Sequence, residues 1–164
     1  MTISIRVRVP NVELFVMGAD GPTAISSDDL FGAKLVALFG LPDVFTKTCS
    51  AKHLPGFVNN AEALKAKGVG EIICLSVNDA WVMNAWGEGQ NAEGHVAMVG
   101  DGGLNFTRWA GLEVDLSAKS YGQRCKRFSA LLDDGVVTHL HFEDGGFGER
   151  SEEHTSELQS RAYL

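Results

Sequence analysis

A thiol, a hydroxyl and a proline occur together in one short segment of the chain, as Cys49, Thr46 and Pro42. An apolar stretch ends at Gly40 and a helical pattern starts just after Cys49, so the thiol is predicted in the first turn of a helix. Unpaired backbone N–H groups and the helix dipole favour an anion there. A free thiol has a pKa of about 8.5, which a helix start with a nearby cation can lower below about 7. The segment therefore predicts a reactive thiolate.

The two neighbours of this sulfur have roles that follow from their spacing to it. Thr46 precedes Cys49 by three residues, so its hydroxyl can donate to the thiolate and accept a hydrogen bond from the group that the sulfur attacks. Pro42 is expected to fix the loop through its locked φ and to shield the sulfur from water.

Two further cysteines, Cys74 and Cys125, lie in other segments of the chain. Three cysteines in a chain of this size do not form a disulfide framework and indicate thiols in a reducing compartment. Cys49 is followed by Ser-Ala-Lys, so the Cys-x-x-Cys pattern of a thiol–disulfide oxidoreductase is absent. Cys125 is predicted to be incidental packing. Cys74 lies in an apolar strand pattern, where a small buried thiol is common.

Composition limits the class of protein. The 164 residues correspond to about one domain, of which 45% are hydrophobic and 21% are charged. The formal charge of −7 argues against a nucleic-acid partner and against an anionic membrane surface, because both require clustered Lys and Arg. No stretch approaches the roughly 18 apolar residues of a spanning helix, and the N-terminus lacks the apolar block of a signal peptide. We therefore expect a cytoplasmic protein.

Apolar patterning predicts the elements that must position the thiol. Alternating strands and helices followed by a hairpin predict an α/β fold with a central mixed sheet flanked by helices. The hairpin turn is Asp134-Gly135, Asp79 is the predicted cap of the second helix, and Gly68 ends the first. The predicted strands are 34–40, 71–77, 95–100 and the two arms of 128–142. The predicted helices are 54–68 and 79–87, the latter with an apolar face of Trp81, Val82, Ala85 and Trp86.

The last residues of the chain break with this pattern. Residues 150–164 show no apolar period. Residues 150–160 can be back-translated to a DNA sequence that resembles a widely used sequencing-library adapter, read in frame. We therefore expect one domain over residues 1–149, truncated at its C-terminus, followed by a non-native tail over residues 150–164.

The spacing Pro-x-x-x-Thr-x-x-Cys, formed by Pro42, Thr46 and Cys49, resembles the active-site motif of peroxiredoxins. Three longer segments of the chain are similar to the type II subfamily of peroxiredoxins. They are LFGLPDVFTKTCSAKHLPGF, EIICLSVNDAWVMNAW and GLEVDLSAKSYGQRCKRFSALLDDGVV. The resemblance implies a thioredoxin-like fold. It also implies a peroxidase that reduces hydrogen peroxide and organic hydroperoxides through a cysteine sulfenic acid, with no metal and no organic cofactor.

The resemblance assigns roles outside the motif as well. It implies an arginine that pairs with the thiolate, at the position of Arg124. Neighbouring Lys126 and Arg127 are weaker candidates for this role and are expected to be solvated. Plant-type members carry a second cysteine at the position of Cys74, which makes Cys74 the candidate resolving thiol, with core packing as the alternative. A one-cysteine cycle with glutaredoxin–glutathione or thioredoxin as the reductant is equally compatible. The family also implies a homodimer, in which Phe45 lines the seam; core packing is the alternative for that ring.

The active-site loop departs from the usual family pattern at three positions. Asp43-Val44 replaces the usual Gly-Ala, and Lys47 replaces a second proline. Asp43 is expected to raise the pKa of the Cys49 thiol as a nearby negative charge, and Lys47 to offset this. An alternative function, a redox-sensing or partner-binding thioredoxin-fold protein, uses the same cysteine. Such a sensor would oxidise once and would not turn over.

Overall fold

The computed structural model describes residues 2–47 and 54–143. In chain order the elements are β1 (Glu13–Gly18), β2 (Gly21–Ser26), α1 (Ser27–Phe31), β3 (Leu35–Gly40), α2 (Leu54–Ala66), β4 (Glu71–Ser76), α3 (Ala80–Gly89), β5 (Ala97–Gly100), α4 (Asn105–Trp109), β6 (Glu113–Asp115), β7 (Gln123–Cys125), β8 (Phe128–Asp133) and β9 (Val136–Phe142). In this described part of the chain, every helix is too short or too polar to cross a bilayer. The predicted tail, residues 150–164, lies outside the described residues, and its non-native origin stays a prediction.

Within the described residues, seven strands form one mixed sheet in the order β2-β1-β5-β4-β3-β8-β9. Strands β3, β4 and β5 run parallel at its centre, and β8 pairs antiparallel with β3. The central strands β3 and β4 are covered on both faces, which is why their sequences are unbroken apolar runs rather than alternating ones. The short strands β6 and β7 form a separate antiparallel pair.

Helices cover both faces of the sheet, as the apolar pattern predicts. Successive side chains of a strand point to opposite faces. Leu38 therefore packs in a core with α1 and α4, while Phe39 packs in a second core with α2 and α3. This arrangement confirms the predicted α/β fold with a central mixed sheet between helices.

The local signals in the sequence act where they were predicted to act. The side chain of Asp79 caps α3 by accepting a hydrogen bond from Val82 N at 2.9 Å. Asp134 and Gly135 both have positive φ, +48° and +78°, as a two-residue hairpin turn requires. Gly68 has φ +99° just after α2, where the left-handed conformation ends a helix.

The structure differs from the prediction in α3 and in the weaker strands. Trp81 was predicted on the apolar face of α3, but it is 61% exposed. The residues of α3 that are buried are Ala80, Met83, Trp86 and Gly87, so the face that meets the core is rotated from the predicted one. The hairpin of β1 and β2 was not predicted, because these strands are only partly buried and show a weak period of two.

Candidate active site

The predicted site lies at the carboxyl ends of two neighbouring parallel strands. The loop that follows β3 contains Pro42, which is buried, and the residues after β4 are Val77 and Asn78. Ligand sites of α/β sheets form at this edge, because loops from adjacent strands converge there. Cys49 lies outside the described residues, so its position at a helix start stays a prediction.

The side chain of Arg124 reaches this edge from β7. Its Nε donates to the carbonyl oxygen of Tyr121 at 2.7 Å, and its Nη1 donates to the carbonyl oxygen of Val77 at 2.8 Å. Nη1 also lies 3.3 Å from Oδ1 of Asp43, in an ion pair whose side chains are only 18% and 15% exposed. A guanidinium that is held by several hydrogen bonds has a fixed direction, which suits it to recognise oxygen atoms.

Asp43 is the residue that links this arginine to the loop. Its Oδ1 accepts hydrogen bonds from Val44 N at 2.9 Å and from Asn78 Nδ2 at 3.4 Å, besides its pairing with Arg124. Ser76 Oγ donates to Asn78 Oδ1 at 2.6 Å, so the network continues to the end of β4. Asp43, which replaces the usual loop residue, therefore forms part of the site through its ion pair with Arg124.

Thr46 carries a hydroxyl that is buried but makes no hydrogen bond within the described residues. A hydroxyl can donate one hydrogen bond and accept others, and leaving it unsatisfied in a buried position is costly. Thr46 follows β3 and Arg124 reaches the same edge of the sheet from β7, and no hydrogen bond joins the two side chains among the described residues. The free capacity of this hydroxyl is what a residue that contacts a sulfur or an oxygen substrate needs.

The loop between Pro42 and Thr46 is bent at Phe45, which has φ +62°. This left-handed conformation is uncommon for a residue with a large side chain. The ring of Phe45 is 62% exposed and lies 6.5 Å from the ring of Trp86, centroid to centroid. Core packing, one of the two expectations for Phe45, is therefore wrong, because the backbone conformation turns the ring toward solvent.

Cys74 is fully buried in β4 and is paired in register with Phe39 of β3. It belongs to the core beneath α2, which also contains Phe57. Burial as a small core residue is confirmed, and its role as a resolving thiol stays a prediction.

Cys125 is buried too, next to Arg124 in β7. Its S–H lies 3.2 Å from the carbonyl oxygen of Lys126. Burial raises the pKa of this thiol to about 12, so it stays protonated at neutral pH. The prediction that Cys125 is packing and not a nucleophile agrees with this environment.

Arg127 was one of the weaker candidates for the arginine that pairs with the thiolate. It was predicted to be solvated, but its side chain is completely buried. Its Nε lies 3.9 Å from Oε2 of Glu143, too far for a hydrogen bond. Because Phe128 pairs with Gly40, Arg127 lies beside the start of the loop that contains Pro42. The sequence signal for its burial was its position directly before the apolar strand β8. That end of β8 lies beside the end of β3, which leads into the loop with Pro42 and Thr46.

The fold and the thiol motif define a thioredoxin-like thiol protein, and comparisons with known proteins agree. The redoxin family profile matches residues 7–155. Peroxiredoxin-2B of Arabidopsis thaliana is 52% identical over 121 residues, which cover 74% of this chain and 75% of that protein. Peroxiredoxin-2C of Oryza sativa subsp. japonica is 46% identical over 129 residues, 79% of this chain and 80% of that protein.

A solved structure with a similar fold is reduced Prx3 of Vibrio vulnificus in complex with H2O2. It is 41% identical to this chain, with a TM-score of 0.90, and the match covers 98% of this chain and 99% of that one. The chain belongs to the redoxin family, and within it to the type II peroxiredoxins. It is a thiol-dependent peroxidase, whose substrate is a peroxide and whose reductant is a thiol. The predicted fold and the predicted thiol-dependent peroxidase activity are thereby confirmed.

Proposed function

We propose that Cys49 is the attacking thiolate of this peroxidase, assisted by Thr46, Pro42 and Arg124. The sulfur forms a bond to the terminal oxygen of a hydroperoxide while the oxygen–oxygen bond breaks, so the sulfur is oxidised and the peroxide is reduced by two electrons. The departing oxygen takes a proton and leaves as water or an alcohol, and Cys49 becomes a sulfenic acid. The observation that carries this assignment is the guanidinium of Arg124, held 3.3 Å from Asp43 of the motif loop.

The donors around the loop act by stabilising charge that develops on the oxygens. Preorganised donors of this kind commonly contribute the largest single share of catalysis. Arg124 supplies a guanidinium with a fixed direction, and Thr46 supplies a buried hydroxyl that makes no hydrogen bond within residues 2–47 and 54–143. The buried guanidinium of Arg127 is a second candidate for holding the thiolate, since it lies at the same end of β3.

The decisive experiment compares Cys49→Ser with Cys125→Ser in a rapid-mixing assay with hydrogen peroxide. Cys49→Ser is expected to abolish sulfenic-acid formation, whereas Cys125→Ser is expected to retain it, since the Cys125 thiol is buried and protonated. Sulfenic acid formed at full yield in the Cys49→Ser protein would refute the assignment.

A second comparison separates the two arginines. Arg124→Lys and Arg127→Lys each keep the positive charge but lose the planar donor fork. The variant that slows peroxide oxidation of Cys49 by about 100-fold identifies the guanidinium that contacts the reacting oxygens. If neither variant slows it, neither guanidinium has that role.

For the second half of the cycle we propose an external thiol, supplied by glutaredoxin with glutathione or by thioredoxin. The reductant thiol attacks the sulfenic sulfur, water leaves, and a second reductant thiol then releases Cys49 from the mixed disulfide. The complete burial of Cys74 in β4 supports this route, because a disulfide with Cys74 would require local unfolding. Cys74→Ser is expected to turn over normally with the preferred reductant; loss of turnover would instead make Cys74 the resolving thiol.

We also propose that the protein acts as a cytoplasmic homodimer. Two aromatic side chains that are more than 60% exposed, Phe45 and Trp81, support an interface near the motif loop, because such rings are enriched in protein interfaces. Analytical ultracentrifugation of the wild type and of Phe45→Glu tests the dimer. A wild type that sediments as a monomer would exclude it, and subcellular fractionation tests the location.

A further inference from the structure

A β-bulge in the edge strand β9 changes which face of the sheet its side chains occupy. The neighbouring residues Leu131 and Leu132 of β8 pair with His139 and Val137, which are two positions apart in β9. Thr138 is therefore an extra residue in β9. Because successive side chains of β8 point to opposite faces, the bulge places His139 on the face opposite to Val137. Val137 packs in the core with α1 and α4, whereas Leu131, the partner of His139, packs in the core with α2 and α3.

Both histidines of β9 lie on this second face. His141 pairs with Ser129 in the regular register that follows the bulge, and Leu140 between the histidines packs against the opposite core. Side chains at positions i and i+2 of a strand share a face, with their Cα atoms about 6.6 Å apart. Both histidines are partly exposed, and β9 is the last strand of the sheet within the described residues. Two imidazole rings therefore lie side by side at a sheet edge.

The bulged residue Thr138 determines which nitrogen of the His139 ring carries the proton. The hydroxyl of Thr138 donates to the carbonyl oxygen of Leu131 at 3.2 Å, and its Oγ1 lies 3.1 Å from Nδ1 of His139. A hydroxyl has one proton to donate. Because that proton is directed at Leu131, Oγ1 accepts a hydrogen bond from Nδ1 of His139. In the neutral ring, Nε2 of His139 then keeps the lone pair with which an imidazole binds a metal ion.

Two imidazoles on one face of a strand suit a divalent ion of the first transition row. Among these ions Cu²⁺ binds a given nitrogen site most tightly. Within residues 2–47 and 54–143, no cluster of three or more His, Cys, Asp or Glu side chains is placed to hold a metal ion. The pair therefore supplies two nitrogen ligands, and water completes the coordination. Structural metal sites are closed by protein ligands, so a site of this kind holds an exchangeable ion.

We propose that His139 and His141 form a Cu²⁺ site on the edge strand β9, in which Thr138 directs Nε2 of His139 to the ion. The ion binds without a change of oxidation state, and its two protein bonds are to ring nitrogens. This inference goes beyond the proposed function and does not depend on it, because no part of it involves a peroxide or Cys49.

The test titrates Cu²⁺ into the full-length chain and measures the dissociation constant by isothermal titration calorimetry. The Cys49→Ser protein is the parent, because a thiolate would also bind the ion. In this parent, His139→Gln and His141→Gln are each expected to weaken Cu²⁺ binding by at least about 100-fold, since even a group that only orients a ligand commonly accounts for about 10- to 100-fold in affinity. An unchanged dissociation constant in either variant would overturn the site.

Substitutions at two further positions separate the pair from histidines in general and from the strand itself. His95→Gln changes a histidine that precedes β5, and it is expected to leave the Cu²⁺ affinity unchanged. Thr138→Val removes the hydroxyl and is expected to weaken binding by about 10-fold, whereas Thr138→Ser keeps the hydroxyl and the affinity. A loss in His95→Gln as large as in His139→Gln would overturn the assignment to β9. Parent-like binding by Thr138→Val would overturn the role given to Nε2.

Electron paramagnetic resonance of the Cu²⁺-loaded parent identifies the ligands without a substitution in β9, so it decides the question even if a histidine variant fails to fold. Hyperfine splitting by two imidazole nitrogens is expected in the parent, and splitting by one in a folded His139→Gln protein. A single imidazole in the parent, or two that persist in His139→Gln, would overturn the proposal. Because the parent lacks Cys49, neither result depends on peroxidase activity, and failure of the proposed function would leave both readouts unchanged.

Discussion

Two polar clusters of this protein contain adjacent residues of β7, and they differ in the state of their hydrogen bonds. One lies at the carboxyl edge of β3 and β4, where Arg124 meets Asp43 and a buried Thr46 hydroxyl is unsatisfied among the described residues. The other lies around Asp101, whose carboxylate accepts from Phe106 N at 3.2 Å and from Thr107 N and Oγ1 at 2.8 and 2.7 Å. Cys125 packs against this second cluster.

The two clusters differ in whether their polar groups are satisfied within the described residues. In the Asp101 cluster the polar groups bond to each other, burial raises the pKa of Asp101, and the thiol is kept protonated. At the carboxyl edge, Nη2 of Arg124 and the hydroxyl of Thr46 make no hydrogen bond among the described residues. Satisfied buried networks stabilise a structure, whereas unsatisfied groups in a protected site are available to a ligand.

The largest expected difference between the two regions is in thiol reactivity. With folded protein at pH 8, iodoacetamide is expected to alkylate Cys49 at least about 1,000-fold faster than Cys125, since only a thiolate attacks and the pKa of Cys125 is raised to about 12. Mass spectrometry of tryptic peptides over a time course measures both rates. Comparable rates at the two cysteines would contradict the separation.

A smaller effect, on either the peroxide oxidation rate or the stability, is expected from removing one hydroxyl in each cluster. Thr46→Val is expected to slow peroxide oxidation of Cys49 by about 100-fold, since one preorganised donor is lost, with little change in thermal stability. Rapid-mixing kinetics and calorimetry measure the two quantities.

Thr107→Val is the matched control and is expected to do the reverse. The oxidation rate stays at the wild-type value, while the free energy of unfolding falls by about 1–3 kcal/mol, because the buried carboxylate of Asp101 loses a donor. If Thr107→Val slows oxidation as much as Thr46→Val, the two regions are not independent.

The smallest expected effect is a change in how stability depends on pH. Burial raises the pKa of Asp101 above its ordinary value of 3.8, so this group contributes stability at a pH below 3.8 and loses that contribution as pH rises through the raised value. Asp101→Asn removes the titration. The difference in free energy of unfolding, Asp101→Asn minus wild type, is therefore expected to increase as pH rises from about 4 toward 7. Urea titrations at several pH values measure this difference. A difference that is constant with pH would contradict the expected shift.

Much of the fold could be predicted from the sequence because its signals are local. The central strands β3 and β4 are buried on both faces and so read as apolar runs, and the turn at Asp134-Gly135 needs residues that tolerate positive φ. The strands β1, β2, β6 and β7 could not be predicted. They are short or half-exposed, and their pairing is specified by partners elsewhere in the chain.

The sequence by itself determined the residue types of the proposed site, which are the thiol, hydroxyl and proline at their spacing, and the α/β framework that carries them. Only the tertiary structure decided that Arg124 pairs with Asp43 of the motif loop, although the two residues are 81 positions apart in the chain. It also decided that Arg127 is buried and that Trp81 is exposed. Residue types and short-range spacing are properties of the chain alone. Burial and ion pairing depend on which distant segments meet, and a strand pairing such as Phe128 with Gly40 sets them only after the chain has folded.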